Sequence, residues 1–103
     1  LQSRGLGDVY KRQEPGYYLE NEFGIRHENL VLCKKAEKTP FGQFMCFESL
    51  TMVPFDLDGV DTEQMSDRER KLLNEYHKKV YVTIAPYLDE EEKEWLRQAT
   101  REI

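Results

Sequence analysis

Apolar positions along this chain follow two periods, one strand-like and one helical. From Gly24 to Lys34 the run "GIRHENLVLC" mixes alternation with a short apolar stretch rich in Ile, Leu and Val, which predicts a strand. "KTPFGQ" supplies turn chemistry through Pro40 and Gly42. "FMCFESLTMVPF" predicts a second strand, ended or bent at Pro54 because proline cannot donate to a ladder. The two runs are expected to pair as an antiparallel hairpin. "DLDGVDTEQ", rich in Asp and Gly, reads as a loop.

The period then changes to helical. Ser66 and Glu69 have the spacing of a capping box, in which each side chain satisfies an orphan backbone N–H. Leu73, Tyr76, His77, Val80 and Ile84 follow on one apolar face, and Pro86 stops the helix. Asp89 is placed to cap a second helix, with Glu92 three residues on. Trp95, Leu96 and Ala99 are expected to be its packing side. Antiparallel strands followed by two helices give an α+β fold class.

Composition narrows the function. A chain of 103 residues is at most one small domain with a small core. Its net charge of -5, with 34% charged residues of mixed sign, argues against nucleic acid and against an anionic membrane surface. No apolar run approaches the roughly 18 residues of a membrane span, and the first residues lack the apolar core of a signal peptide. Cys33 and Cys46 do not make a disulfide framework. They read as free thiols of a cytoplasmic protein. No Cys or His spacing suggests zinc.

The segment "EPGYYLENEFGIRHEN", residues 14–29, carries the candidate chemistry. If "EPGYY" and "FGIRHEN" are the arms of a hairpin that turns at Glu20, Asn21 and Glu22, Glu14 and Glu28 stand opposite one another. Directly opposed residues have Cβ atoms about 4.5 to 5.5 Å apart, so two like charges repel there. Two solvated glutamates are the simpler reading of the pattern. The alternative is a cation clamp, since carboxylates on neighbouring strands can hold two metal ions about 3.5 to 4 Å apart. Arg26 shares the face of Glu28 by alternation and is expected to steady a carboxylate. His27, on the opposite face, is expected to be a packing or surface histidine, and His77 to pack or hydrogen-bond. Tyr17 and Tyr18 are expected to be aromatic wall residues of a small core, with a peptide-cleft lining as the alternative.

The order "EPGYY", "GIRHENLVL", "FESLTMVPFDLDGVD" and "LNEYHKKVYVTIAPYLDEEEKEWLRQATREI" resembles the C-terminal end of the Xaa-Pro aminopeptidases (aminopeptidase P), pita-bread metallopeptidases of peptidase family M24. The resemblance covers essentially all of residues 14–103. Prolidase and methionine aminopeptidase share the fold and related glutamates, but the middle segment and helical tail favour aminopeptidase P. It implies the C-terminal part of a pita-bread fold. The implied parent enzyme removes the N-terminal residue from peptides with proline in second position, using two divalent metal ions, commonly Mn2+. Metal coordination makes water acidic enough to supply hydroxide near neutral pH.

In that family the ligands are two aspartates, a histidine and two glutamates. Glu14 in E-P-G matches the first glutamate, a ligand and proton acceptor near the attacking water. Glu28 in R-x-E-N matches the second, which bridges both metals. The aspartates and the histidine have no counterpart here, so the isolated chain is expected to be inactive. X-Pro peptides are the implied substrate of the parent, and a homodimer is an implied partner. The Tyr76, Val80 and Ile84 face is then a candidate docking surface. A non-catalytic pita-bread binding or dimerisation module is the competing reading.

Within residues 1–13, "LQSRGLGDVYKRQ", Ser3 to Gln13 resemble an in-frame translation of a sequencing adapter, so 1–13 are read as a non-native tail, with a disordered natural tail as the alternative. Residues 14–43 are then the end of the catalytic domain, and 44–103 the C-terminal extension of aminopeptidase P.

Overall fold

The computed structural model describes residues 16–103. They fall into two compact units, divided along the chain between Leu30 and Val31.

The first unit is a short hairpin. Strands β1 (Tyr17–Leu19) and β2 (Phe23–Ile25) pair antiparallel, with Tyr17 opposite Ile25, Tyr18 opposite Gly24 and Leu19 opposite Phe23. The register centres on Asn21, as the sequence predicts. The Leu19 carbonyl accepts the Glu22 N–H at 3.0 Å, and Asn21 takes φ 60°. Asparagine tolerates that left-handed conformation better than most side chains.

One expectation fails here. The strand predicted from Gly24 to Lys34 is broken, because residues 26–30 leave the ladder and a new strand starts at Val31. On the same register His27 would face Pro15. Pro15 lies outside the described residues, and a proline has no N–H for a ladder bond.

The second unit, Val31–Ile103, opens with strands β3 (Val31–Thr39) and β4 (Gly42–Ser49). They form the antiparallel hairpin the sequence predicts, closed by Pro40 and Phe41. Gly42 sits at φ 133°, a conformation that side chains rarely adopt, so glycine is required there by its backbone. β3 carries one extra residue between Lys35 and Lys38. The Gln43 side-chain amide donates to the Ala36 carbonyl at 3.0 Å and so satisfies a group freed by this bulge. Cys33 pairs with Phe47 and Cys46 with Lys34. Alternation therefore puts the thiols on opposite faces, and both are free. β4 ends at Ser49, short of Pro54.

Two 3-10 turns follow, Leu57–Gly59 and Thr62–Gln64, started by Asp56 and Asp61, whose carboxylates accept the amides of Asp58 and Glu63. The helices begin where their caps predict. α1 (Asp67–Ile84) has the reciprocal Ser66–Glu69 box, at 3.1 and 2.8 Å. It gives way to a 3-10 turn, Ala85–Tyr87, at Pro86. α2 (Glu90–Ala99) has the Asp89–Glu92 box, at 2.8 and 3.0 Å.

The core is small, as the length requires. Val80, Ala85 and Leu96 are buried together, with Met52, Tyr76, Tyr81, Ile84 and Leu88 packed around them. This corrects the docking-surface expectation: the Tyr76, Val80 and Ile84 face is consumed by the chain's own core. Trp95 is a second correction. It is 66% exposed, while its neighbour Leu96 is 2% exposed. Successive helical residues lie about 100° apart, so a narrow seam admits one of the two.

Candidate functional site

Of the two candidate carboxylates, Glu28 belongs to the first unit. Glu14 lies outside the described residues. Glu28 is exposed, on the irregular stretch that follows β2, and Arg26 is exposed two residues before it. With residues 26–30 out of the ladder, strand alternation no longer puts Arg26 and Glu28 on one face. His27 is exposed, which fits the surface reading.

Tyr17 and Tyr18 are 60% and 58% exposed, so they do not wall a core among the described residues. The Tyr18 ring instead covers its partner Gly24, where a Cβ would come within 2.7 Å of it. The Tyr17 and Phe23 rings stand 6.2 Å apart.

A carboxylate oxygen suits a hard divalent cation. Among the described residues, however, no group of three or more His, Cys, Asp or Glu stands together to hold one. The described residues therefore do not by themselves fit a dinuclear centre.

Within the second unit, the polar chemistry gathers on α1. The segment after β4, residues 51–55, lies on this helix through consecutive side chains. The Tyr76 hydroxyl is 2.8 Å from the carbonyl oxygens of both Thr51 and Val53, and accepts the Val53 N–H at 3.3 Å. His77 is fully buried, and its Nε2 accepts the Phe55 N–H at 3.0 Å. The rings of Phe55, Tyr76 and His77 pack with centroids 5.6 to 6.3 Å apart. Burial, and secondarily the Arg101 charge, push the His77 pKa down, so the imidazole is held neutral. The expectation that His77 packs or hydrogen-bonds is met in both respects.

Sequence reading missed one clamp. The Asn74 carboxamide donates to the Ile103 carbonyl at 3.1 Å and accepts the Ile103 N–H at 2.9 Å, which fastens the end of the chain to α1. Arg101 reaches Asp58 at 3.3 Å. An asparagine inside a predicted helix was the available signal, because it favours caps and turns over helix interiors. A groove of about 790 Å³ beside this clamp is lined by Arg70, Lys78, Arg97 and Arg101 but also by Asp67 and Glu75. Its mixed charge selects no ligand of one sign.

No helix among the described residues is long and apolar enough to cross a membrane.

The sequence model describing the C-terminal region of peptidase M24 matches residues 43–103. The chain belongs to that family. It is 44% identical over 95 residues to a protein named probable Xaa-Pro aminopeptidase P from Arthroderma otae, covering 87% of this chain and 15% of that protein. Against aminopeptidase P1 of Arabidopsis thaliana it is 37% identical over 93 residues, covering 87% and 14%. The crystal structure of X-prolyl aminopeptidase from Caenorhabditis elegans, described as a cytosolic enzyme with a di-nuclear active site, superposes with a TM-score of 0.75 at 32% identity. That match covers 87% of this chain and 15% of the other. The chain thus spans about a seventh of the length of the relatives it matches. The α+β architecture agrees with a C-terminal pita-bread fragment.

Proposed function

We propose that this chain is the C-terminal part of a dinuclear metallopeptidase that releases the N-terminal residue from peptides with proline in second position. The observation that carries this reading is the 32% identity and 0.75 TM-score to an X-prolyl aminopeptidase with a di-nuclear site.

In this reading Glu14 and Glu28 are two of the metal-binding carboxylates, and Glu14 also takes the proton of the attacking water. The β1–β2 register supports this reading as far as the Tyr17–Ile25 pair, and Glu28 follows on the irregular chain just beyond it. Arg26 then supports a carboxylate from the chain that leads out of β2. The remaining ligands, two aspartates and a histidine, come from residues outside this chain. The metal, taken as Mn2+, supplies an acidified water when bound. Residues 14–43 close the catalytic domain and 44–103 extend it. The cytoplasm is the proposed location, in keeping with the relative described as cytosolic, and a homodimer the proposed assembly.

The test is made in the full-length protein. Glu28→Gln and Glu14→Gln are each expected to lower bound Mn2+ and to cut X-Pro peptide cleavage by at least about 100-fold, the scale on which metal-site changes act. Unchanged metal content and activity in both variants would overturn the assignment.

A further inference from the structure

His77 has a chemistry that the proposed peptidase site does not use. Its side chain is fully enclosed, and the two ring nitrogens have different surroundings. Nε2 accepts the Phe55 N–H at 3.0 Å. Nδ1 is buried and meets no hydrogen-bond partner among the described residues. A nitrogen that accepts carries no proton, so the neutral ring bears its hydrogen on Nδ1.

We propose that His77 is a proton-operated latch: the neutral imidazole holds residues 51–55 against α1 through the Phe55 amide, and a proton taken up on Nε2 releases them. The proton comes from solvent, and the displaced Phe55 N–H passes to water. Protonation puts an N–H on Nε2, where it meets the Phe55 N–H head on, two donors with no acceptor between them. It also leaves a cationic ring whose Nδ1–H has no acceptor among the described residues, buried where charge is costly. The inference stands on the second unit alone and does not depend on the peptidase reading.

The surroundings favour release. Residues 51–55 carry no titratable side chain, so no carboxylate on that segment can take the new N–H. From residues 100–103, Arg101 adds a like charge, itself paired to Asp58 in the first 3-10 turn. On α1 the adjoining titratable ring is Tyr76, whose hydroxyl is engaged with Thr51 and Val53. The His77 pKa is lowered on folding, so the latch contributes stability above the unfolded value of about 6.5. That contribution is lost as pH falls through the lower folded value.

The latch is read from amide hydrogen exchange of the full 103-residue chain between pH 7.5 and 5, with each rate corrected for its intrinsic pH dependence. Protection of the Phe55 amide is expected to fall by up to about tenfold per pH unit below pH 6.5, the limit for release by one proton. Imidazole NMR shifts of His77 are expected to titrate below the range of an ordinary histidine. His77→Gln keeps an acceptor near Nε2 without a titrating charge, so its Phe55 protection is expected to be flat with pH. Protection that does not change with pH in the parent chain, an equal fall in His77→Gln, or a His77 that titrates as an ordinary histidine would each overturn the proposal. An unfolded chain would give the last of these.

Discussion

Tyr18 stands directly opposite Gly24, and its ring leaves no room for a side chain there: a Cβ would come within 2.7 Å of it. This pair sits in the middle of the β1–β2 ladder, and Glu28 follows β2 on irregular chain. Substituting Gly24 by Val must therefore displace the ring or shift the pairing. We expect Gly24→Val to lower the divalent-metal content of the full-length protein without touching a proposed ligand. Metal analysis beside a thermal melt checks it. Full metal occupancy would show that the hairpin does not set the carboxylates.

The two neighbours Trp95 and Leu96 separate surface from core. Leu96→Ala should destabilise by about 2 to 4 kcal/mol, the usual cost of truncating an enclosed leucine. Trp95 is two-thirds exposed, so Trp95→Ala should move stability by about 0.5 kcal/mol or less. Urea titration of each variant followed by far-ultraviolet circular dichroism reads the difference. Equal effects would mean that α2 sits on its other face.

Both helix caps are predicted to matter to a similar degree. Ser66→Ala and Asp89→Ala each remove an acceptor from an N-terminal amide and half of a reciprocal pair. Each should cost about 1 kcal/mol. Replacing Ser66 by Asp should be nearly neutral, because aspartate caps as well as serine. Thermal melts at pH 7 distinguish these outcomes.

Asn74→Ala should free the last residues from α1 while leaving the helix intact. The expected readout is faster amide exchange at Ile103, with unchanged helical circular dichroism. Unchanged exchange at Ile103 would show that the carboxamide is not what holds it.

The features that local chemistry decides were legible in the sequence. Both capping boxes need only residues three apart, the β3–β4 hairpin follows from Pro40 and Gly42 between apolar runs, and the Asn21-centred turn follows once the arms on either side of it are taken as a pair. Features decided by packing or by a distant partner were not. The interruption at residues 26–30 falls inside a run that reads as one strand from Gly24 to Lys34. The bulge between Lys35 and Lys38 leaves no mark in the apolar pattern. The choice of Leu96 over Trp95 depends on the angle at which α2 meets the core, which the period of 3.6 does not fix. The Tyr76, Val80 and Ile84 face was correctly read as apolar, but whether such a face meets its own chain or another is a tertiary fact. Of the two candidate carboxylates, Glu28 is exposed on irregular chain, and Glu14 lies outside the described residues.

The central claim is that Glu14 and Glu28 complete a metal site whose other ligands lie in a longer polypeptide. Sequencing the source gene upstream of the Glu14 codon tests it most directly. The account predicts an open frame that replaces residues 1–13 and encodes a metallopeptidase domain with two aspartates and a histidine as the missing ligands. A genuine start codon leading directly into "LQSRGLGDVYKRQ" would contradict it.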